Sequence, residues 1–279
     1  MAKQRFIGCD ATYDNADTML FGVRFDATST YRRGSAKAPA AIRKESHGIE
    51  TYSPYLDRDL GERRIFDGGD IDVGDDINAM FIKVENVTTG ILRDNKFPMM
   101  LGGEHLVTLG AFRAIAKKYP KVCIIHFDAH TDLRENWEGN PNNHSTVMRR
   151  CFDIVGKNRI FQFGIRSGEK SEFEFAKENT FLTKDNFDNL RRAMQIIGRR
   201  PIYFTIDVDV LDPSEMGGTG TPEAGGVRFL ELLDACRTVF KGNVVGCDIN
   251  ELSPPYDVNG SSTALVCKLL REVLLLIKK

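Results

Sequence analysis

Short apolar runs alternate with longer segments of helical periodicity along most of the chain. The short runs predict strands at residues 18–23, 63–66, 97–101, 122–127, 159–165, 181–182, 202–206 and 244–247. Between them, apolar positions three and four residues apart predict helices that cover residues 76–93, 106–119, 146–155, 169–178, 185–197, 228–240 and 261–279. A further short helix is predicted to end at residue 46, with Pro39 in its first turn.

The order of these elements predicts the fold class. Strand and helix alternate from one end to the other, and no repeat, low-complexity tract or linker marks a boundary. We therefore expect one three-layer α/β/α domain over residues 1–279, with a mostly parallel sheet and right-handed crossovers. Residues 67–70, Asp-Gly-Gly-Asp, are predicted to form a turn after the second strand.

Composition excludes several classes of protein. The 38 Lys and Arg residues nearly cancel the 39 Asp and Glu residues, so no basic excess indicates a nucleic-acid partner. No apolar run approaches the roughly 18 residues of a membrane span, and residues 1–10 lack a long apolar core. The six cysteines form no C-x-x-C pair. We expect a cytoplasmic protein with reduced, mostly buried thiols and no membrane partner.

One stretch, residues 124–132 (Ile-Ile-His-Phe-Asp-Ala-His-Thr-Asp), concentrates the candidate chemistry. A buried strand runs directly into Asp128, His130 and Asp132, which are spaced two residues apart. In extended backbone such positions share a face, and ligands of parallel sheets gather at the carboxyl ends of strands. These three side chains are therefore predicted to converge on a metal.

Two other strand ends carry residues of the same kind. Asp207 and Asp209 follow the strand at residues 202–206, and His105 follows a Gly-Gly turn after the strand at residues 97–101. Four carboxylates and two imidazoles suit Mn²⁺ better than Mg²⁺, Ca²⁺ or a sulfur-ligated zinc ion. Six ligands exceed what one catalytic ion needs but suit two ions about 3.5–4 Å apart with bridging carboxylates. The negative charge of the four carboxylates balances the positive charge of two divalent ions, so a hydroxide can lie between the ions without a large excess of charge.

Each piece has a simpler structural interpretation when it is taken alone. An Asp-x-Asp pair after a strand often caps a helix or a turn, and a single histidine such as His105 more often packs in a core. The metal interpretation depends on the coincidence at three strand ends. His126 shares the face of Asp128 but lies within the strand, so we expect it to pack or to support a ligand.

These motifs resemble the ureohydrolase family of arginases and agmatinases over most of the chain. The resemblance is carried by Gly-Gly-Glu-His at residues 102–105, Phe-Asp-Ala-His-Thr-Asp at residues 127–132, Asp-Val-Asp-Val-Leu-Asp-Pro at residues 207–213 and Gly-Thr-Gly-Thr-Pro at residues 218–222. Residues 21–26, 32–43, 132–144 and 248–257 look specifically like agmatinases. Glu104, Leu106 and Thr205 depart from the residues that the family more often has.

The resemblance implies a fold, a reaction and roles for residues. It implies an eight-stranded, mostly parallel arginase-like sheet, a homotrimer or homohexamer, and two Mn²⁺ ions per subunit. One ion would be held by His105, Asp128, Asp132 and Asp207, and the other by Asp128, His130, Asp207 and Asp209. A metal-bridging hydroxide would hydrolyse the guanidinium of agmatine to putrescine and urea.

Three further roles are expected for catalytic groups. Asp132 would accept a hydrogen bond from the hydroxide, and Glu251 would grip the guanidinium through paired hydrogen bonds. His144 resembles the family's proton shuttle, and an unperturbed pKa near 6.5 would suit it. Without the resemblance, His144 would be interpreted as an exposed loop histidine and Glu251 as a cap.

The substrate and the enzyme class leave alternatives open. The loop at residues 137–143 is expected to face the far end of the substrate, and its asparagines also suit a carboxylate. Arginine, 4-guanidinobutyrate or an N-substituted agmatine are therefore alternatives. Asp207-Val208-Asp209 also resembles the aspartate-nucleophile phosphatases, although Leu211 is unusual there. A non-catalytic module that binds phosphate in the loop at residues 217–226 is the third possibility, without a nucleotide-binding motif to support it.

Overall fold

The computed structural model describes residues 4–278, which form eight helices, an eight-stranded sheet and a small hairpin. The strands are β1 (Thr18–Val23), β2 (Tyr52–Ser53), β3 (Arg58–Asp59), β4 (Ile65–Ile71), β5 (Phe97–Leu101), β6 (Cys123–Phe127), β7 (Ile160–Ile165), β8 (Phe181–Lys184), β9 (Pro201–Asp207) and β10 (Asn243–Asn250). The helices are α1 (Ala38–Glu45), α2 (Ile77–Arg93), α3 (Val107–Lys118), α4 (Val147–Val155), α5 (Lys170–Asn179), α6 (Leu190–Ile197), α7 (Phe229–Val239) and α8 (Ser261–Leu276).

The large sheet has the order β4-β1-β5-β10-β9-β6-β7-β8, and all seven of its pairings are parallel. The predicted three-layer α/β/α class with an eight-stranded sheet is thereby confirmed. Four central neighbours, β5, β10, β9 and β6, end at the same edge of the sheet. The segments that leave these four strands can therefore meet, although they lie far apart in the sequence.

Apolar side chains of the central strands enter two separate cores, one on each face of the sheet. Ile124 packs with helices α2 to α5, whereas its neighbour Ile125 packs with α1, α6, α7 and α8. Tyr203 and Phe204 divide in the same way. This alternation follows from the two-residue period of a strand, and burial on both faces explains the continuous apolar runs.

One predicted turn is a strand in the structure. The Asp-Gly-Gly-Asp segment at residues 67–70 was predicted as a turn, which is wrong, because β4 continues through it to Ile71. The buried guanidinium of Arg43 pairs with the carboxylates of Asp67 and Asp70, so these polar residues are satisfied inside a strand next to β1. Gly22 of β1 leaves room for this pairing, since a Cβ there would lie 2.2 Å from Asp70 Oδ1.

The β2–β3 hairpin was not predicted, because two-residue strands carry no periodic signal. Helix α8 was predicted to reach residue 279, but it ends at Leu276, and residue 279 lies outside the described part of the chain. No helix within residues 4–278 is both long enough and apolar enough to cross a membrane. All six cysteines are buried and unpaired, as expected.

Candidate metal centre

His105 reaches the centre of the site through a tight turn after β5. The turn passes so close to the segment after β1 that a Cβ on Gly103 would lie 2.0 Å from the carbonyl oxygen of Phe25. The amide of Glu104 donates a hydrogen bond of 2.8 Å to the same carbonyl. The Gly-Gly pair is therefore required by close backbone approach, and it fixes where the imidazole of His105 enters the site.

The imidazole of His105 is completely buried and meets three carboxylates. Its Nδ1 lies 3.1 Å from Asp128 Oδ2, 3.3 Å from Asp132 Oδ2 and 3.4 Å from Asp207 Oδ2. Its Nε2 lies 2.8 Å from Thr205 Oγ1. Nδ1 itself has no hydrogen-bond partner. A buried nitrogen without a partner is rare in proteins, so it requires an explanation here.

A second group of ligand-type atoms adjoins the first through Asp128. The Nδ1 atom of His130 lies 2.9 Å from Asp209 Oδ2 and 3.4 Å from Asp128 Oδ1. Asp207 is linked to the same group, because its Oδ1 accepts a hydrogen bond of 2.8 Å from the amide of Asp209. The six predicted ligands thus form one contiguous cluster, and Asp128 belongs to both of its groups.

The six residues converge by a different local geometry from the one predicted. The spacing of two residues predicts that the ligands share one face of an extended strand. In the structure β6 ends at Phe127, and Asp132 has a left-handed backbone with φ of 51°. Asp209 lies in a 3₁₀ turn, Val208–Val210, rather than in a strand. Loops and turns at the strand ends therefore bring these side chains together, and the extended-face explanation is wrong for them.

Negative charge accumulates in this buried cluster. Burial, followed by the charges of Asp209 and Asp128, raises the pKa of Asp207 well above its usual range. Burial and the charge of Asp128 raise the pKa of Asp132 to about 6. Carboxylates are placed so close together in a dry interior only where cations or shared protons compensate their charge.

The donor set fits divalent cations. Four carboxylates and two imidazoles supply oxygen and nitrogen atoms, and the unpartnered Nδ1 of His105 points at three of the carboxylates. An imidazole that bonds through one nitrogen and leaves the other free toward carboxylates has the arrangement of a metal ligand. Oxygen-rich sites with imidazole suit ions such as Mn²⁺, and no thiol lies in either group.

His126 orients Asp128, in agreement with the supporting position that we expected for it. The side-chain amide nitrogen of Gln162 lies 3.1 Å from His126 Nδ1 and can only donate, so Nδ1 accepts. The ring then donates from Nε2, which lies 2.7 Å from Asp128 Oδ2. Gln162 also donates to the carbonyl oxygen of Thr131 at 2.7 Å, which ties the loop to β7.

Glu251 follows β10 directly and is buried with a left-handed backbone, φ of 70°. Its Oε1 accepts a hydrogen bond of 2.7 Å from the amide of His105 and lies 3.7 Å from His144 Nδ1. Burial, followed by the charge of Glu104, raises its pKa well above the usual range. Glu251 is therefore placed between the metal cluster and His144.

His144 opens a 3₁₀ turn before α4 and is not an exposed loop residue, since its side chain is only 12% exposed. Asn143 caps this turn and also donates from its side chain to the carbonyl oxygen of Thr28 at 2.8 Å. Burial, followed by the charges of His130 and His105, lowers the pKa of His144 to about 4. The expectation of an unperturbed pKa therefore does not describe this ring, which is neutral at pH 7.

A cleft of about 280 Å³ opens onto the cluster from solvent. Asp132, Asp207, His130 and His144 line its inner end. Its lining also includes residues for which the sequence predicts no individual role: Thr30, Arg134, Ser167, Glu169, Glu172 and Thr221. The residues of this second group come from four separate loops and from helix α5, and only the tertiary fold brings them to one cleft.

The outer part of the cleft contains a fixed pair of opposite charges. Arg134 donates to Glu169 Oε1 at 2.6 Å, and its guanidinium lies 4.7 Å from the centre of the Trp137 ring. Trp137 begins the loop at residues 137–143 that we expected to face the substrate, and it lines the cleft. The asparagines of that loop that we singled out are not among the lining residues.

The loop at residues 217–226 does not offer a phosphate cradle. The amides of Gly225 and Gly226 both donate to Asp212 Oδ2, at 3.0 and 3.2 Å. These amides could donate hydrogen bonds to a phosphate only by giving up their hydrogen bonds to Asp212. The third possibility from the sequence therefore finds no support in this loop.

Comparisons with known proteins agree with the motifs. The model of the arginase family matches residues 16–276. An agmatinase of Bacillus subtilis (strain 168) is 44% identical over 276 residues, which are 97% of this chain and 95% of that relative. An N(1)-aminopropylagmatine ureohydrolase of Thermococcus kodakarensis is 38% identical over 251 residues, with 86% and 84% covered. The crystal structure of the agmatine ureohydrolase of Thermoplasma volcanium superposes with a TM-score of 0.90 at 34% identity, over 99% of this chain and 94% of that chain.

The resemblance that the motifs indicated is thereby confirmed. The family match covers every strand of the large sheet and all six predicted ligand residues, so fold, cluster and sequence agree over the same residues. The chain belongs to the arginase family.

Proposed function

We propose that the protein hydrolyses the guanidinium group of agmatine to putrescine and urea. The observation that carries this proposal is the buried cluster in which His105 Nδ1 faces three carboxylates without a hydrogen-bond partner. Agmatine is favoured as the substrate because the agmatinase of Bacillus subtilis is 44% identical over nearly the whole chain. The cleft above the cluster, about 280 Å³ in volume, suits a small linear guanidine.

In this proposal the cluster holds two Mn²⁺ ions per subunit. His105, Asp128, Asp132 and Asp207 would hold one ion, and Asp128, His130, Asp207 and Asp209 the other. Paired divalent ions lower the pKa of water toward neutrality and thereby supply a hydroxide nucleophile at neutral pH. The geometry supports shared ligation, because Asp128 contacts both imidazoles of the cluster.

The chain's own groups bind the guanidinium and manage protons. Glu251 would accept paired hydrogen bonds from the guanidinium nitrogens, and its position beside the cluster supports this role. Asp132, at the inner end of the cleft, would accept a hydrogen bond from the attacking water and orient it. His144 would take up a proton from the attacking oxygen and pass it to the departing amine, since a neutral amine leaves a tetrahedral carbon far more easily than an amide anion.

The direct test is urea release from a panel of guanidines by protein supplied with Mn²⁺. We expect agmatine to give the highest kcat/KM in a panel that also contains arginine, 4-guanidinobutyrate and N-aminopropylagmatine. His144→Asn should retain bound metal and lose at least about 100-fold in kcat, within the range that general acid–base groups contribute. Absence of urea from every guanidine, in protein shown to contain two ions, would contradict the proposal.

A related guanidine with a longer tail is the second candidate. The outer cleft holds one cation, Arg134, against the carboxylates of Glu169 and Glu172, which favours a cationic tail over a carboxylate. N-aminopropylagmatine carries such a tail, and a relative 38% identical is named for its hydrolysis. The panel separates the two, because a preference for the longer amine would give it the higher kcat/KM.

The aspartate-nucleophile phosphatase alternative is not supported. Asp207 has no separate role as a nucleophile, because its carboxylate faces His105 and accepts from the amide of Asp209 within the same cluster. We further propose a single ureohydrolase domain that assembles as a homotrimer or homohexamer and acts in the cytoplasm. The six unpaired cysteines support a reducing compartment. Light scattering of the purified protein tests the assembly.

A further inference from the structure

A segment from the N-terminal part of the chain, residues 28–30, joins the metal cluster to His144. The carboxylate of Glu104, next to His105, accepts hydrogen bonds from the amide and hydroxyl of Thr28 and from the hydroxyl of Ser29. The Thr28 hydroxyl in turn accepts a hydrogen bond of 3.0 Å from the amide of His144. The backbone of His144 is thus held in a fixed position relative to the cluster.

The ring of His144 is held by the next threonine in this segment. Thr30 Oγ1 lies 3.0 Å from His144 Nε2, and the amide of Thr30 donates to the same nitrogen at 3.3 Å. A backbone N–H can donate but never accept, so Nε2 must be the acceptor in this contact. An Nε2 atom that accepts carries no proton, which also makes the Thr30 hydroxyl a donor to it.

The position of the remaining proton follows from the charge of the ring. A ring with an unprotonated Nε2 is not an imidazolium, because an imidazolium carries a proton on both nitrogens. A neutral imidazole without a proton on Nε2 carries it on Nδ1. In the structure Nδ1 is the nitrogen on the side of Glu251, 3.7 Å from its Oε1.

We propose that Thr30 is a positioning residue that selects the Nδ1–H tautomer of His144 and holds its ring with the N–H directed toward Glu251. This inference rests on the proposed function for its catalytic meaning, since Glu251 would bind the guanidinium there. Thr30 itself lines the cleft, and its amide and hydroxyl both bond to His144. Its effect on turnover passes through the orientation and tautomer of His144.

The tautomer can be measured without any activity. The chain has five histidines, so two-bond ¹H–¹⁵N spectra of ¹⁵N-histidine-labelled protein are simple enough to assign by comparison with His144→Asn. Protein loaded with Mg²⁺, which is diamagnetic, keeps the site filled without broadening the signals. We expect a protonated Nδ1 and an unprotonated Nε2 for His144 in the wild-type protein.

The variants test whether Thr30 causes this state. Thr30→Val removes the hydroxyl donor and keeps only the longer bond from the backbone amide, so it should give His144 a measurable share of the Nε2–H tautomer, while Thr30→Ser should restore the wild-type spectrum. With Mn²⁺ and agmatine, Thr30→Val should lower kcat about tenfold and change KM less than about twofold. The loss in kcat is smaller than that expected for His144→Asn, because the acid–base group itself is still present. Thr89→Val, on the exposed face of α2, is the matched control and should change nothing.

Two results would overturn the inference. A wild-type spectrum with the proton of His144 on Nε2 would show that the ring donates to Thr30, which reverses the assignment. A Thr30→Val protein with the wild-type spectrum and wild-type kcat would show that the contact has no positioning role. Failure of the proposed function gives a different pattern, in which no guanidine yields urea while the spectra of the wild type and Thr30→Val still differ.

Discussion

Removal of metal should lower the stability of this protein strongly, and the structure indicates how the loss divides between two ions. Asp128, Asp132, Asp207 and Asp209 are all buried, and the imidazoles of His105 and His130 lie among them. In the proposed function the folded state binds cations here, whereas the unfolded chain has no such cluster. Metal binding is therefore coupled to folding.

The expected magnitude follows from this coupling. A ligand at 100 times its Kd stabilises the folded state by about 2.7 kcal/mol per site, so two ions contribute about 5 kcal/mol. For a domain of this size about 1 kcal/mol corresponds to about 2–4 °C in Tm. Treatment with a chelator should therefore lower Tm by about 10–20 °C, and addition of Mn²⁺ should restore it, as measured by differential scanning calorimetry.

Single substitutions separate the two ions. Asp209 occurs only in the group with His130, and His105 only in the other group, whereas Asp128 belongs to both. Asp209→Asn and His105→Asn should each lose about one ion by elemental analysis and about half of the Mn²⁺-dependent shift in Tm. Asp128→Asn should lose nearly all of that shift.

Exposed residues of the same types provide the controls. Asp14→Asn and His47→Asn should keep both ions and the full shift, because both positions are exposed and outside the cluster. The reasoning is refuted if Mn²⁺ leaves the Tm of chelator-treated wild-type protein unchanged. It is equally refuted if the control variants lose as much of the shift as Asp209→Asn does.

Three further predictions concern the scaffold and the pH dependence. Arg43→Met leaves the buried carboxylate of Asp67 unpaired and should cost about 3–5 kcal/mol in urea unfolding; a cost below about 1 kcal/mol would contradict a structural ion pair. Gly103→Ala places a Cβ 2.0 Å from the Phe25 carbonyl oxygen, so it should lower the free energy of unfolding by about 1–3 kcal/mol or more. The same variant should also lose bound metal, because the turn that carries His105 must shift. Burial lowers the pKa of His144 to about 4, so between about pH 4 and 6.5 the unfolded chain binds more protons than the folded chain, and the free energy of unfolding falls as pH falls. In metal-free protein, His144→Asn should flatten this dependence of the unfolding free energy on pH. An unchanged slope would contradict the lowered pKa.

The strands and helices could be predicted from the sequence because their signals are local. The apolar runs that became β6 and β9 are buried on both faces, and the periodic face of α2 buries Met80, Phe81, Val84 and Ile91 as the pattern required. The ligand residues were found for a related reason. Parallel strands place their carboxyl ends at one edge, so polar residues after several apolar runs predict a shared site before any contact is known.

The failures arise where contacts between distant segments override local patterns. Asp67 to Asp70 have the composition of a turn, but Arg43, at least 24 residues away, neutralises them inside β4. Thr30 carries no local signal of its contact with His144, because 114 residues separate the two in sequence. Such residues become recognisable only when the folded chain shows which side chains meet.

The placement of Asp209 shows how a distant residue can determine the geometry of a ligand. Arg166 follows β7, and its guanidinium donates to the carbonyl oxygens of Asp209, Val210 and Leu211 at 2.7, 3.2 and 3.3 Å. These bonds stabilise the 3₁₀ turn that directs the Asp209 carboxylate toward His130. A lysine could not reach three diverging carbonyls, because it lacks the planar, multiply donating head of arginine. The spacing of Asp207 and Asp209 therefore identifies the ligands, while Arg166 accounts for a turn that an extended strand would not form.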